Sequence, residues 1–85
     1  MDIAVATEKL LEFIVDTYMV EREEVPLEES LIDEGIIDSF GLIEIASFLE
    51  ETFSIKIEDE ELIRENFGSI VKMIQFVDRK KNNES

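Results

Sequence analysis

The chain has 85 residues, 22 Asp and Glu against 8 Lys and Arg, a formal net charge of −14, and no His, Cys or Trp. That length is one small domain, and that charge opposes contact with a nucleic-acid backbone or an anionic membrane. Without Cys or His there is no thiol nucleophile, imidazole base, disulfide framework or Cys/His metal site, so neither a catalytic residue nor a bound metal is expected. Apolar residues make up 45% of the chain, too many for a disordered acidic tail. No apolar run approaches the roughly 18 residues that a membrane span needs, and Met1-Asp2-Ile3 lacks a basic leader start. The expectation is a soluble, cytoplasmic, monomeric domain that works through a partner or a cofactor, without nucleic acid or stable membrane insertion.

In chain order, residues 3–20 form an amphipathic helix. Ile3, Leu10, Phe13, Ile14, Thr17 and Tyr18 share one arc at the 3.6 period, with Glu8, Glu12 and Asp16 opposite. The pattern breaks over 21–38, where Pro26 biases Val25 away from helix. Leu27, Leu31 and Ile32 are spaced to pin this long loop to the core, a short helical turn is expected within it, and Gly35 marks a tight turn. A second helix opens at Asp38-Ser39. Leu42, Ile45, Leu49 and Phe53 make its buried seam, and Glu44, Ser47, Glu50 and Glu51 face away. Ile55 and Ile57 alternate with Ser54 and Lys56 in an extended connector. Residues 59–65 read as a brief helix with Asp59 as N-cap and Leu62 and Ile63 turned inward. Ser69 caps a last helix with Ile70, Met73, Ile74 and Val77 on the buried stripe, and Arg79, Lys80 and Lys81 suit its C-terminal dipole. The prediction is an all-α bundle of three main helices plus one short helix with a long first loop. It is a single domain over 1–85, with 78–85 as a frayed tail.

The charge is uneven: residues 1–55 carry a net −13 and residues 56–85 a net −1. A field so directed favours a basic partner on the first two thirds of the chain. Within that part, Ser39 is the residue to question. An Asp-Ser pair before a helix is ordinarily just a cap, but here two capping side chains stand where one suffices. If Asp38 caps, Ser39 becomes the first helical residue and its hydroxyl points to solvent, at a helix end that tolerates a phosphate. Phe40 and Ile43 lie beside it, off the buried seam. Ser39 is no nucleophile by itself, because the chain has no His to take its proton; another protein must bring the base and the metal.

The stretch Gly35-Ile36-Ile37-Asp38-Ser39-Phe40-Gly41, followed by an acidic amphipathic helix, resembles the acyl carrier proteins, whose Asp-Ser-hydrophobic motif carries 4′-phosphopantetheine on the serine. The resemblance spans nearly the whole chain, including Phe53-Ser54-Ile55-Lys56-Ile57 before Asp59 and Glu65-Asn66-Phe67-Gly68-Ser69-Ile70 before the last helix. It implies an acyl-carrier-like four-helix bundle with the arm on Ser39. Asp38, Phe40, Ile43, Glu44, Glu50 and Glu51 correspond to partner-docking positions. The implied partners are a phosphopantetheinyl transferase, which uses coenzyme A and Mg²⁺, an adenylate-forming ligase or acyltransferase that loads the arm, and downstream enzymes that use the acyl or aminoacyl thioester. Many fatty-acid carriers of the family read Gly-x-Asp-Ser-Leu. Here two residues separate Gly35 from Asp38 and Phe40 replaces Leu, a form closer to the stand-alone D-alanyl or specialised acyl carriers.

Three other readings use the same acids. A calcium loop of the EF-hand type needs Gly at its sixth position; setting Gly35 there puts Ser30, Ile32 and Gly41 at positions one, three and twelve, which fails. Hydrolysis by paired carboxylates is opposed by the exposed character expected of Glu28-Glu29 and Glu60-Glu61. An acidic helical adaptor without a prosthetic group predicts the same docking face and no change at Ser39.

Overall fold

A computed structural model describes residues 2–83. Helix α1 runs Ile3–Tyr18, and the Asp2 carboxylate caps it by accepting the Ala4 and Val5 backbone NH groups. It ends two residues earlier than expected, because Met19 turns left-handed (φ 56°) and closes the last turn on the Val15 carbonyl. Its buried face is Ala6, Leu10, Leu11 and Ile14. The expected arc is therefore rotated: Ile3 and Thr17 are exposed, and Phe13 and Tyr18 sit half-buried at the edge. α1 packs against two helices at once, so its apolar stripe follows the groove between them rather than a single-sided arc.

The long connection contains a 3-10 turn over Arg22–Glu24, whose Arg22 pairs with Glu8 of α1. Leu31 anchors the loop as expected, but Leu27 and Ile32 are more than 40% exposed; Val25 and Ile37 are the other buried anchors. Leu27 contributes through its backbone, its carbonyl accepting the Val71 NH at 3.0 Å. Gly35 turns at φ +77°, a conformation that an L side chain rarely adopts.

Helix α2 runs Ser39–Phe53. Ile45 and Leu49 of the expected seam are fully buried, with Leu42 and Phe53 partly so. The left-handed Ser54 closes α2, and the 54–57 connector alternates as expected, with Ile55 buried and Lys56 exposed. The 59–65 segment is not one helix. Asp59–Glu61 is a 3-10 turn and α3 covers only Arg64–Phe67. Nor does Asp59 cap it: Glu58 stands at that position, and its NH donates to the Glu61 carboxylate at 2.9 Å. Leu62 is partly buried, whereas Ile63 is 46% exposed.

Helix α4 runs Ile70–Asn83, opened by Ser69, whose hydroxyl accepts the Lys72 NH at 3.2 Å. Ile70, Met73, Ile74 and Val77 are all buried, joined by Phe76. Of the tail expected to fray over 78–85, residues 78–83 are helical, and Lys80 holds Glu61 at 2.9 Å; residues 84–85 lie outside the described residues. The described residues thus form an all-α bundle of three long helices and one short one around a single core.

Candidate functional site

The head of α2 is built by Asp38. Its backbone is extended, its carboxylate accepts the Gly41 NH at 2.9 Å, and its carbonyl accepts the Leu42 NH at 3.2 Å. Asp38 is thereby the cap, and Ser39 is the first residue inside the helix, exposed. Among the described residues its hydroxyl has no hydrogen-bond partner. The helix it opens is 15 residues long, so the partial positive charge of its first turn lies next to that oxygen. Phe40 is 76% exposed and Ile43 53%, two large apolar side chains left facing solvent one turn apart.

A support beneath this turn was not legible from the pattern of apolar residues. The Tyr18 hydroxyl donates to the Gly41 carbonyl at 3.2 Å and lies 3.5 Å from a Glu44 carboxylate oxygen. A Cβ on Gly41 would stand 2.9 Å from the Ile37 Cβ and 3.0 Å from the Tyr18 oxygen. Glycine is therefore what lets the end of α1, the end of the loop and the start of α2 meet. Burial, and then the charge of Glu44, push the Tyr18 phenol above its ordinary value, so it stays a donor at neutral pH. The available signal was the glycine itself, two residues into a helix that otherwise has no reason to carry one.

The expected docking carboxylates do not behave alike. Glu44 and Glu51 are exposed on the outer face of α2, on the same side as Phe40, Ile43 and Ser47. Glu50 is not outward: it is half-buried, and its carboxylate accepts the Ile57 NH at 2.9 Å, tying the connector to α2. Asp38 is exposed but engaged as the cap. Ile32 and Ile63, expected in the core, instead line a cavity of about 200 Å³ with Leu42, Leu62 and Phe67. Leu42, which lines this space, is one helical turn from Ser39 on α2. The described residues hold no cluster of three or more metal-ligating side chains, and none of their helices is long and apolar enough to cross a membrane.

An exposed hydroxyl relieved of capping, at the positive end of a helix, on an acidic domain with apolar side chains around it, fits an attached phosphodiester. Among the described residues the oxygen has no partner and nothing covers the position, and the phosphate would sit where the backbone NH groups favour it. Such a site is compatible with a carrier, a domain that enzymes modify and visit. The comparisons agree. The family model described as the phosphopantetheine attachment site matches residues 8–77, and the chain belongs to that family. It is 36% identical over 75 residues to an acyl carrier protein of Petrotoga mobilis, covering 88% of this chain and 86% of that one. It is 32% identical over 71 residues to a D-alanyl carrier protein of Streptococcus pyogenes serotype M1, covering 84% and 89%. The protein is thus an acyl carrier that uses phosphopantetheine and works with partner enzymes rather than catalysing a reaction of its own. The adaptor reading, which had no place for a prosthetic group, is set aside on the same ground.

Proposed function

We propose that Ser39 bears the 4′-phosphopantetheine and that the face around it, chiefly Phe40, Ile43, Glu44 and Glu51, receives the enzymes that modify and load it. The observation that carries this is the Ser39 hydroxyl, exposed and unpartnered while Asp38 does the capping. In the modification, the Ser39 oxygen bonds to the phosphorus that bears the pantetheine of coenzyme A. The adenosine bisphosphate leaves, and the serine proton passes to a base of the transferase, since the chain has no imidazole to accept it. Mg²⁺ comes with the transferase. When attached, the arm supplies the thiol on which an acyl or aminoacyl group is held as a thioester. This chain's own residues do the rest: Asp38 and Tyr18 fix the turn that presents Ser39, and the acidic face guides a basic enzyme to it. Docking through exposed charges is salt-sensitive and quickly reversed, which suits a shuttle.

The cargo is an acyl or aminoacyl group attached by an adenylate-forming ligase or an acyltransferase and consumed by a downstream enzyme. The names of the two relatives support that range, and the Gly35-Ile36-Ile37-Asp38-Ser39-Phe40 form supports a D-alanyl or specialised acyl cargo over bulk fatty acid. The high negative charge supports a chain that binds neither nucleic acid nor an anionic membrane, and we propose that it acts as a monomer in the cytoplasm. The test is intact mass after incubation with a broad-specificity phosphopantetheinyl transferase, coenzyme A and Mg²⁺. A single adduct on the wild type and none on Ser39→Ala is expected; an adduct that survives Ser39→Ala places the arm elsewhere.

A further inference from the structure

Outside the serine and its immediate neighbours, one feature without an assigned role is an aromatic step across the α1–α2 seam. Phe13 of α1 and Phe48 of α2 stack with centroids 4.3 Å apart and planes 18° apart, and both are only half-buried. A depression opens on each side of them. One, of about 340 Å³, lies on α2 and includes Ile43, Glu44, Ser47 and Glu51. The other, of about 450 Å³, lies over α1 and includes Lys9, Glu12, Asp16, Thr17 and Thr52. Since Phe13 and Phe48 line both, the two form one groove with an aromatic floor. Phe40, Ile43 and Phe48, interleaved with Glu44 and Ser47, share one face at the helical repeat, so a mixed apolar and polar surface leads from the residue after Ser39 down to the step.

The rim says what fits. Glu12, Asp16, Glu44 and Glu51 are all exposed, against the single base Lys9. A second copy of a chain carrying −14 is repelled from such a rim. A guanidinium is not: it is planar, weakly hydrated, stacks on aromatic rings and forks onto carboxylates. We propose that this groove is a second contact surface, occupied by an arginine-bearing amphipathic helix of the enzyme that loads the carrier. Arginine stacks on the Phe13–Phe48 step between the carboxylates, and docking extends from α2 onto α1. This deepens the carrier reading and rests on it. It makes Glu12 and Asp16 of α1 recognition residues for a partner whose reacting atoms meet the head of α2.

The test uses the full chain labelled with ¹⁵N and a synthetic helical peptide carrying Leu and Arg on one face. Amide shifts over residues 9–17 as well as 43–52 are expected, weakening as salt is raised. The same peptide with Lys for Arg should bind about threefold weaker, which corresponds to the rings favouring the guanidinium by about 0.7 kcal/mol. The double variant Glu12→Lys, Asp16→Lys should weaken the Arg peptide about tenfold at low salt, and it should still take the adduct on Ser39. Phe48→Leu, which keeps apolar bulk, should erase the difference between Arg and Lys peptides. Shifts confined to α2, or an affinity indifferent to the α1 charge reversals, would overturn the proposal. So would dimerisation of the chain through this face. Failure of the wild type to take the adduct would count against the carrier reading instead, since peptide binding to the step does not depend on it.

Discussion

Two helices of this molecule open on a serine, and the two serines do opposite things. At the head of α4, Ser69 precedes the helix, is 3% exposed, and gives its oxygen to the Lys72 NH. At the head of α2 the capping is done by Asp38, and Ser39 stands one place further on, exposed and unpartnered among the described residues. A shift of one residue relative to the helix boundary separates a structural hydroxyl from an available one. The lesson is that a serine at a helix start is read by asking which side chain already satisfies the first free NH groups.

That contrast can be broken in several ways. The largest expected effect is on modification: Ser39→Ala loses the phosphopantetheine adduct entirely, whereas Ser69→Ala retains it, both by intact mass. Next is the support under each serine. Gly41→Ala forces a methyl against Ile37 and Tyr18 and is expected to cost about 1–3 kcal/mol in urea unfolding, with a slower adduct reaction. A neutral result would mean that the three segments do not meet at this glycine. Smaller is the capping difference itself. Ser69→Ala should cost about 1 kcal/mol and Ser39→Ala less than about half of that, a gap measurable as a few degrees in Tm. Equal losses would show that the Ser39 hydroxyl also caps.

The smallest effect is at the far end of the α4 side. The Glu58 NH, and then Lys80, hold the Glu61 carboxyl below the usual carboxylate range. Its folded value lies below its unfolded one, so its contribution is complete above the ordinary carboxylate range and is lost as pH falls through the lowered value. Glu61→Gln should therefore unfold with a shallower acid limb than the wild type in urea unfolding followed against pH, and an unchanged limb would show that the Glu58 NH and Lys80 do not hold this carboxyl.

Much of this was legible in the chain itself. The acid excess, the absence of Cys and His, the Asp38-Ser39 step, Gly35 and the α4 stripe of Ile70, Met73, Ile74 and Val77 are local features, and local features set helix starts, turns and the residues that must avoid water. Periodicity alone erred where an element touches two neighbours or none. Ile3 and Thr17 were assigned to a face that α1 does not bury, Ile63 and Ile32 to a core that they only border, and Glu50 to solvent although its carboxylate holds the Ile57 NH. A repeat of 3.6 residues reports one preferred direction and cannot say how many partners lie in it.

The sequence by itself determined the charge, the all-helical class and the serine at the head of the second helix, because each follows from residue type and from neighbours within a turn. Only the tertiary structure decided that Tyr18 and Gly41 brace that head, that Glu50 is a tether, and that Phe13 and Phe48 meet across two helices. Those depend on contacts between residues seven to thirty-five apart in the chain, which packing creates and no local spacing encodes.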